Sequence, residues 1–563
     1  MSWQALPKPD QAIVNQLQKE LGVSAIIAEL LTQRKISSFQ EAKDFFRPQW
    51  DDLHDPFLMQ DMDKAVTRID QALTQGESLM VYGDYDVDGT TSVALMASFL
   101  QQKGASITPY IPDRYTEGYG VSYRGIDCAA AKGIHLIIAL DCGVKAYDKV
   151  AYAKTKGIDF IICDHHLPGE NVPDAVALLN PKRPDCSYPF TELCGCGIGF
   201  KLIQALTQFW KDDHSQLIPY LDLVATATAA DIVPMIGENR VLCFFGLQQI
   251  RENARSGIKR LLGALKRPAT ISDLVFRVAP RINAAGRMDH ALTAVTLLMT
   301  EDQETLSQIA EQIEQFNNER RVTDQRITQE ALQQIEMRAE DNASATVVYA
   351  DDWHKGVVGI VASRLIETHY RPTVVLTRSG EQYVGSVRSV KGYDVYTALE
   401  ACSAHMKQFG GHKYAAGLTL DQDQLSGFKS IFEQVVSQTI QTEQLIPKKL
   451  FDTQLSLNEI TLKLFRIVEQ MAPFGPQNMR PVFYSENCID SGASRVIGKD
   501  KSHLRLSIQT SNGPLEGIGF GMADYFPSIS KGTPFDLLYS LDENQWNGQR
   551  TLQLRIIDIR MRS

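Results

Sequence analysis

Three short, largely apolar runs in the first third of the chain each end in a group of acidic or imidazole side chains. The runs are Leu79–Tyr82, His135–Leu140 and Asp159–Cys163, and helical patterns separate them. Strands that alternate with helices in this way predict parallel βαβ units. Because open α/β sheets bind ligands at the carboxyl ends of their strands, we expect the three groups to meet in one crevice.

The side chains at these run ends are of the kinds that hold divalent metal ions. A further acid, Asp231, ends an apolar helix predicted over Leu221–Ala230, where burial is costly unless the acid is paired or binds a metal. The candidate ligands are Asp84, Asp86, Asp88, Asp141, Asp164, His165 and Asp231. Carboxylates beside imidazole favour manganese or another transition ion over calcium. A lone Asp at such a turn is often only a helix cap, but the joint pattern favours metal binding.

Two divalent ions about 3.5–4 Å apart can hold both oxygens of an in-line phosphoryl displacement. A hydrolytic two-metal site is therefore the first hypothesis. His166 can serve as a ligand or can point at the scissile phosphate, and we favour substrate contact.

Two further regions combine cations with small residues, as phosphate-binding segments do. Arg277–Arg287 carries three arginines and an asparagine, although a surface loop with scattered arginines is the alternative. Gly385–Ser389 and Phe409–Lys413 combine glycine, hydroxyls and cations in a second α/β unit. The predicted substrate contacts are Arg114, His166, Arg281, Asn283, Arg287, Ser386, Arg388, Ser389, Gly411 and His412.

The patterns predict several domains along the 563 residues. A long polar helix from about Gln303 to Glu340 joins two α/β lobes, and its charges are explained by a solvated face. Short alternating strands after Pro447 predict a small β-barrel of the oligonucleotide-binding (OB) type. The expected units are an N-terminal helical segment at 1–48, a catalytic α/β domain at 49–300, the connecting helix at 301–342, a substrate-binding α/β domain at 343–446 and the OB-like module at 447–563.

Composition indicates the cellular compartment but does not identify the substrate. Nine cysteines lack paired spacing, which suits a reducing cytoplasm, and no apolar run approaches the roughly 20 residues of a membrane-spanning helix. The formal net charge of −10 includes carboxylates that metal ions would neutralise, so it does not exclude a polyanion. Cys194-Gly195-Cys196 lacks a second pair and is not expected to bind zinc.

Taken together, these motifs resemble the DHH phosphoesterase family, and within it the bacterial single-strand-specific exonucleases. The resemblance rests on Tyr82–Gly89, Leu140–Gly143, Asp164–Pro168, Ala229–Pro234, Arg281–Met288, Trp353–Leu365, Gly385–Ser389 and Gly410–Gly417. It implies DHH and DHHA1-type lobes and a manganese- or magnesium-dependent 5′-to-3′ exonuclease that releases mononucleotides from single-stranded DNA. A monomer that works beside single-strand-binding protein and a RecQ-type helicase is also expected.

The same resemblance implies roles for particular residues. The metal ligands would be Asp84, Asp86, Asp88, Asp141, His165 and Asp231, with Asp141 bridging the ions. Asp141, His165 and His166 would be the catalytic residues. Many family members carry a histidine where this chain has Tyr82, which leaves the ligand set of one ion open.

Two rival functions are considered. A DHH phosphoesterase acting on pyrophosphate, cyclic dinucleotides or short oligonucleotides would need only the first two lobes, whereas the module after Pro447 favours a longer polymer. A scaffold without chemistry would have lost its carboxylates, and all of them are present here.

Overall fold

The computed structural model describes residues 2–337, 343–546 and 549–562. The N-terminal segment contains one strand and three helices: β1 Ser2–Ala5, α1 Gln11–Leu21, α2 Ala25–Gln33 and α3 Phe39–Phe46.

The first α/β domain is built on a parallel five-stranded sheet of order β3-β2-β4-β5-β6. Its strands are β2 Ser78–Gly83, β3 Ser106–Tyr110, β4 Leu136–Leu140, β5 Asp159–Cys163 and β6 Ala177–Leu179. Its helices are α4 Met62–Thr74, α5 Val87–Gln102, α6 Tyr123–Ala131, α7 Tyr147–Thr155, α8 Gly195–Phe209, α9 Leu221–Ala230, α10 Gly237–Asn253, α11 Ser256–Leu262, α12 Ile271–Asp273, α13 Ala279–Met288 and α14 Leu292–Met299. The central strands are apolar because helices cover both faces of the sheet.

Two local features bear on the predicted site residues. Helix α5 begins at Val87, inside the acidic turn, because the Asp86 carboxylate caps it by accepting hydrogen bonds from the backbone N–H groups of Asp88 (2.9 Å) and Gly89 (3.2 Å). The loop alternative for Arg277–Arg287 is wrong, since a π-helical turn at Leu274–Val278 leads directly into α13.

The connecting helix α15, Gln303–Met337, leads to the second α/β domain, and the predicted end at Glu340 lies outside the described residues. This domain has a mixed sheet of order β10-β11-β9-β8-β7. Its elements are β7 Thr346–Ala350, α16 Val358–Thr368, β8 Thr373–Ser379, β9 Gln382–Arg388, α17 Val395–Ala401, β10 Gln408–His412, β11 Ala415–Asp421 and α18 Leu425–Thr439.

The C-terminal module is a seven-stranded sheet of order β13-β14-β18-β19-β17-β16-β15. Its elements, after the linking strand β12 Lys448–Phe451, are β13 Thr453–Gln454, α19 Leu462–Gln470, β14 Phe483–Cys488, β15 Arg495–Ile497, β16 His503–Ile508, β17 Leu515–Gly519, α20 Phe526–Ile529, β18 Phe535–Trp546 and β19 Gln549–Met561. None of the described helices is both long and apolar enough to cross a membrane.

The N-terminal segment packs on this C-terminal module. Strand β1 pairs in parallel with β12, and apolar residues of α1 and α2, including Leu17 and Ile27, share one core with the C-terminal sheet. The Arg240 guanidinium of α10 joins both parts to the first α/β domain, because it donates to the carbonyls of Phe45 (2.8 Å) and Met471 (2.9 Å). The two ends of the chain thus pack together beside the sheet of the first α/β domain.

Candidate active site

The strand register brings the three acidic groups together. Gly83 is paired with Leu140, and Leu140 with Cys163, so β2, β4 and β5 end at the same level. The next residue after each strand is an aspartate. Asp84, Asp141 and Asp164 therefore lie side by side at the carboxyl edge of the sheet, as expected for an open parallel sheet.

Three sets of ligand atoms form around this edge, each with its atoms within 4.8 Å of one another. Two of them share no residue: one comes from Asp84, Asp86 and Asp141, and the other from Asp88, His165 and Asp231. The third, Asp141 with His165 and His166, overlaps both. Asp141 Oδ1 lies 3.2 Å from His165 Nε2, so this pair of side chains joins the first two sets. We call the six residues of these two sets the acidic pocket.

The acidic pocket fits divalent cations. Four of its buried atoms lack hydrogen-bond partners within the described structure: Asp84 Oδ1, Asp141 Oδ1, His165 Nδ1 and Asp231 Oδ2. Leaving such atoms buried and unpaired is costly, and a divalent ion would satisfy several at once. The donor set of carboxylates plus one imidazole is the kind that manganese and magnesium accept.

Electrostatics within the pocket leads to the same conclusion. Burial, reinforced by neighbouring carboxylates, raises the pKa of Asp84 and Asp141 well above the usual range and that of Asp231 to about 9. Burial, with the charge of His166 as a smaller cause, lowers the pKa of His165 to about 3. The imidazole is therefore neutral and able to ligate, and the carboxylates need positive charge to ionise together.

The backbone around the pocket is built for close approach. Both oxygens of Asp88 accept hydrogen bonds from the start of α8, from Gly195 N (2.6 Å) and Cys196 N (2.8 Å). A Cβ on Gly195 would lie 2.6 Å from Asp141 Cβ, so only glycine fits there. The Cys194-Gly195-Cys196 run is thus a helix start that holds the Asp88 carboxylate and packs closely against Asp141.

Asp164 lies apart from both ligand sets and holds His166 instead. Its buried carboxylate accepts from Val144 N (2.8 Å) and from His166 Nδ1 (2.7 Å). Burial opposes both charges, but the hydrogen bond and mutual attraction outweigh it, so the pKa of Asp164 is lowered and that of His166 is raised. His166 presents its other nitrogen, Nε2, to the cleft, 3.2 Å from the Tyr119 hydroxyl.

Tyr82, at the position of the family histidine, has a packing role. Its buried hydroxyl donates to the Gly120 carbonyl (3.0 Å), and its ring stacks on Tyr110. Asp84 is the next acidic residue along the chain and lies in the first ligand set.

A second cluster, of opposite charge, lies between the two α/β domains. Arg114, Arg287, Arg320 and Arg388 come from the loop after β3, from α13, from α15 and from β9; we call them the arginine cluster. Burial lowers the pKa of Arg287 to about 10, and the charges of the other three arginines contribute to this shift. Within the described residues, none of the four forms an ion pair. Unpaired, partly buried guanidinium groups are typical of an anion site.

The surroundings of the arginine cluster also suit a phosphate. The Ser386 hydroxyl accepts from Arg388 (2.8 Å), and both lie against the first turn of α16, where a Cβ on Gly359 would be 3.1 Å from each. Arg114 stacks on the Tyr85 ring, with 3.9 Å between the guanidinium carbon and the ring centroid. Arg320 was missed by the sequence reasoning, which assigned the charges of the long helix to solvent, and no local pattern distinguishes it.

The remaining predicted substrate contacts are placed differently. Arg281 forms a two-pronged ion pair with Glu314 of α15 (2.6 and 3.3 Å). The Ser389 hydroxyl donates to the Tyr393 carbonyl of its own domain (3.0 Å), and Asn283 is half-buried on α13. Gly411 allows β10 to approach β11. His412 is largely exposed, and partial burial together with the charges of His166, Lys145 and Lys182 lowers its pKa. The structure thus brings Arg114, Arg287, Ser386 and Arg388 together and leaves Arg281 and Ser389 outside.

Comparison with known proteins assigns all three folded units. Family models match at residues 78–228 (DHH family, N-terminal domain), 342–438 (DHHA1 domain) and 451–558 (RecJ OB domain). The chain is 36% identical to the single-stranded-DNA-specific exonuclease RecJ of Bacillus subtilis, covering 99% of this chain and 70% of that protein. It is 34% identical to the Salmonella typhimurium protein of the same name, covering 88% of this chain and 90% of that one.

Solved structures support the same family assignment as the sequence comparisons. The crystal structure of RecJ from Thermus thermophilus in complex with Mn²⁺ matches with a TM-score of 0.86 and 25% identity, covering 100% of this chain and 80% of that chain. A Mg²⁺ complex from the same organism matches with a TM-score of 0.80, covering 79% of that chain. The expected fold, two α/β lobes joined by a long helix with an OB module, is confirmed, and the chain belongs to the RecJ family.

Proposed function

We propose that this protein is a single-stranded-DNA-specific exonuclease that hydrolyses phosphodiester bonds from the 5′ end with two divalent ions, releasing 5′-mononucleotides. The observation that carries the proposal is the pair of ligand sets joined by Asp141 and His165. The names of the relatives supply the substrate, and the arginine cluster supplies a reason for the direction.

The acidic pocket would hold the ions, which are Mn²⁺ or Mg²⁺ as in the relatives' crystals. Asp84, Asp86 and Asp141 would bind one ion, and Asp88, His165 and Asp231 the other, with Asp141 between them. Two bound divalent ions would supply positive charge to the attacking and leaving oxygens of an in-line displacement.

His166 is proposed to contact the scissile phosphate. Because Asp164 occupies Nδ1, only Nε2 can reach a substrate oxygen. Asp164 fixes the orientation of the ring, so the contact is prepared before the substrate arrives.

The arginine cluster is proposed to bind the terminal 5′-phosphate. Guanidinium groups form paired hydrogen bonds with phosphate oxygens, and the first turn of α16 adds backbone donors near Ser386 and Arg388. A site that recognises the terminal phosphate would place the first phosphodiester bond over the metal ions, which gives 5′-to-3′ direction. Arg114 and Arg287 would complete the site, and His412 would contact the backbone from the opposite wall.

Digestion of end-labelled DNA tests the proposal. With Mn²⁺ present, a 5′-labelled single strand should release labelled mononucleotide at once, and a 3′-labelled strand should release it only after shortening. Blunt duplex should persist, and EDTA should stop the reaction. Preference for strands of only two to four nucleotides would instead support a short-oligonucleotide phosphoesterase, and activity on duplex ends would contradict single-strand specificity.

Partners are proposed from the family resemblance alone. A RecQ-type helicase would generate the single strand in the cytoplasm, and single-strand-binding protein would hold it. This chain would act as a monomer. Sedimentation of the purified protein and its co-purification with each partner would test these assignments.

A further inference from the structure

Tyr119 lies directly over the proposed phosphate-contacting atom of His166. Its hydroxyl is 3.2 Å from His166 Nε2, and the two rings meet edge to face with centroids 6.1 Å apart. Tyr119 also contacts the Tyr85 ring edge to face, yet 56% of the residue is exposed in the cleft. The side chain is therefore held on one side by His166 and Tyr85 and borders open solvent on the other.

The hydroxyl of Tyr119 and a phosphate oxygen cannot share this place. Asp164 occupies Nδ1 of His166 at 2.7 Å, so Nε2 is the one ring nitrogen that can turn to a substrate. In the structure that nitrogen has the phenol oxygen as its partner. A phosphodiester that binds at Nε2 competes with the Tyr119 hydroxyl for this nitrogen.

The backbone beside Tyr119 is fixed, so displacement of the phenol would be a rotation of the exposed side chain. Glycines flank it on both sides, at Gly118 (φ +85°) and Gly120 (φ +77°), in a backbone region that other residues rarely adopt. The backbone of both glycines is anchored, because Gly118 N donates to the Asp113 carbonyl (3.2 Å) and the Gly120 carbonyl accepts from the Tyr82 hydroxyl (3.0 Å). A Cβ on Gly118 would meet nothing within 4 Å, so there is room beside this glycine.

We propose that Tyr119 is a positioning residue that occupies Nε2 of His166 in the empty enzyme and is displaced by the scissile phosphate. This inference rests on the proposed contact between His166 and the substrate. It adds a specificity step, since only a ligand that offers a phosphate at Nε2 can replace the hydrogen bond that it breaks. The displaced phenol moves toward solvent, and Asp164 keeps the imidazole in place during the exchange.

The decisive variant is Tyr119→Phe, which removes the hydroxyl and keeps the ring against Tyr85. Without the competing hydroxyl, KM for 5′-phosphorylated single-stranded DNA should fall about three- to tenfold, the effect of exchanging one net hydrogen bond. The kcat should stay within about twofold of the parent, because Asp164 still orients His166. Binding of 5′-phosphorylated single-stranded DNA in EDTA, where no cleavage occurs, should tighten by the same factor.

Two controls separate this role from a structural one. Tyr123→Phe removes an exposed hydroxyl nearby that has no hydrogen-bond partner in the described structure, and its KM should not change. In a His166→Ala background, adding Tyr119→Phe should leave the affinity for 5′-phosphorylated single-stranded DNA in EDTA unchanged, because the two side chains act on one another.

A KM for Tyr119→Phe at or above the parent value would overturn the inference, as would the same tightening in the His166→Ala background. Failure of the proposed function has a separate signature, which is a parent enzyme that does not degrade single-stranded DNA in Mn²⁺. A parent that degrades DNA normally beside an unchanged Tyr119→Phe would refute the role of Tyr119 alone.

Discussion

The acidic pocket is largely buried and the arginine cluster is partly buried, and these two groups of opposite charge border each other without neutralising each other. The charge of Asp86 acts on Arg287 and that of Arg114 on Asp84, yet no ion pair links the clusters within the described residues. Like charges kept together in a protein interior cost stability unless a ligand balances them. Each cluster is thus complementary to one part of the proposed substrate complex, the cations or the phosphate.

The two clusters differ in how they are assembled. The acidic pocket comes mostly from strand ends of one sheet, and its ligand atoms are positioned by register and by helix starts. The arginine cluster draws on four elements, and it exists only because α15 places the second domain over the first. We therefore expect changes in the pocket to affect chemistry, and changes in the cluster to affect binding and end recognition.

The largest effect is expected for Asp141→Asn. This change keeps the shape of the side chain but removes the charge that both ligand sets share, so hydrolysis should fall by about 10³-fold or more. In EDTA the variant should unfold about 2–4 °C higher than the parent, because one buried carboxylate is gone. Activity assays and thermal unfolding measure both.

Asp148→Asn is the matched control, since Asp148 is exposed on the first turn of α7. It should keep full activity and the parental unfolding temperature. Substantial turnover by Asp141→Asn at equal Mn²⁺ would remove Asp141 from the proposed catalytic role.

Arg388→Ala should weaken binding with little change in the chemical step. Loss of one desolvated guanidinium from a phosphate site should raise KM for 5′-phosphorylated strands about 10- to 100-fold and abolish their preference over 5′-hydroxyl strands. The slope of log affinity against log salt concentration should become about 0.7 shallower. Steady-state kinetics on the two substrates and salt titrations measure these changes.

Arg378→Ala offers a comparison from the neighbouring strand β8, where Arg378 is exposed and paired with Asp351. It should behave as the parent. An Arg388→Ala enzyme that still prefers 5′-phosphorylated strands would move end recognition to another part of the molecule.

Stabilisation by Mn²⁺ should grow with pH. In the folded protein the pKa of Asp231 is raised to about 9 and those of Asp84 and Asp141 are raised well above their usual range, so the folded state holds protons that the unfolded state releases near pH 4. Without metal, the free energy of unfolding falls as pH rises from that value toward about 9. Bound Mn²⁺ replaces those protons and removes the loss.

The unfolding temperature with and without Mn²⁺, measured at pH 6 and pH 8.5, tests this linkage. The difference should be larger at pH 8.5, and it should shrink at both values in Asp141→Asn. Equal stabilisation at the two pH values would mean that the pocket carboxylates are already ionised without metal.

The sequence predicted correctly those elements whose bounds are set by local patterns of apolar and charged residues. The strand Asp159–Cys163 and the helix Leu221–Ala230 were predicted at their observed bounds, because apolar runs ending in charged residues identify buried elements. The sequence treated a helix cap and a metal ligand as alternatives for such an aspartate, whereas Asp86 caps α5 and also lies in the first ligand set. The packing of the N-terminal segment on the C-terminal module was not predicted, since contacts such as Glu29 with Thr453 join residues more than 400 positions apart and leave no local pattern.

The smallest effect is expected for Arg281→Ala. For this residue the sequence pattern and the structure lead to different expectations. The arginine-rich run Arg277–Arg287 predicted equal phosphate roles for Arg281 and Arg287, but Glu314 already neutralises Arg281 through two hydrogen bonds. KM for single-stranded DNA should therefore change by less than about twofold, and the loss of a half-exposed ion pair should cost at most about 1 kcal/mol of stability. Kinetics and thermal unfolding, run beside Arg388→Ala, measure both. A KM increase as large as that of Arg388→Ala would show that Arg281 exchanges Glu314 for the DNA backbone, and the arginine cluster would then extend along α13.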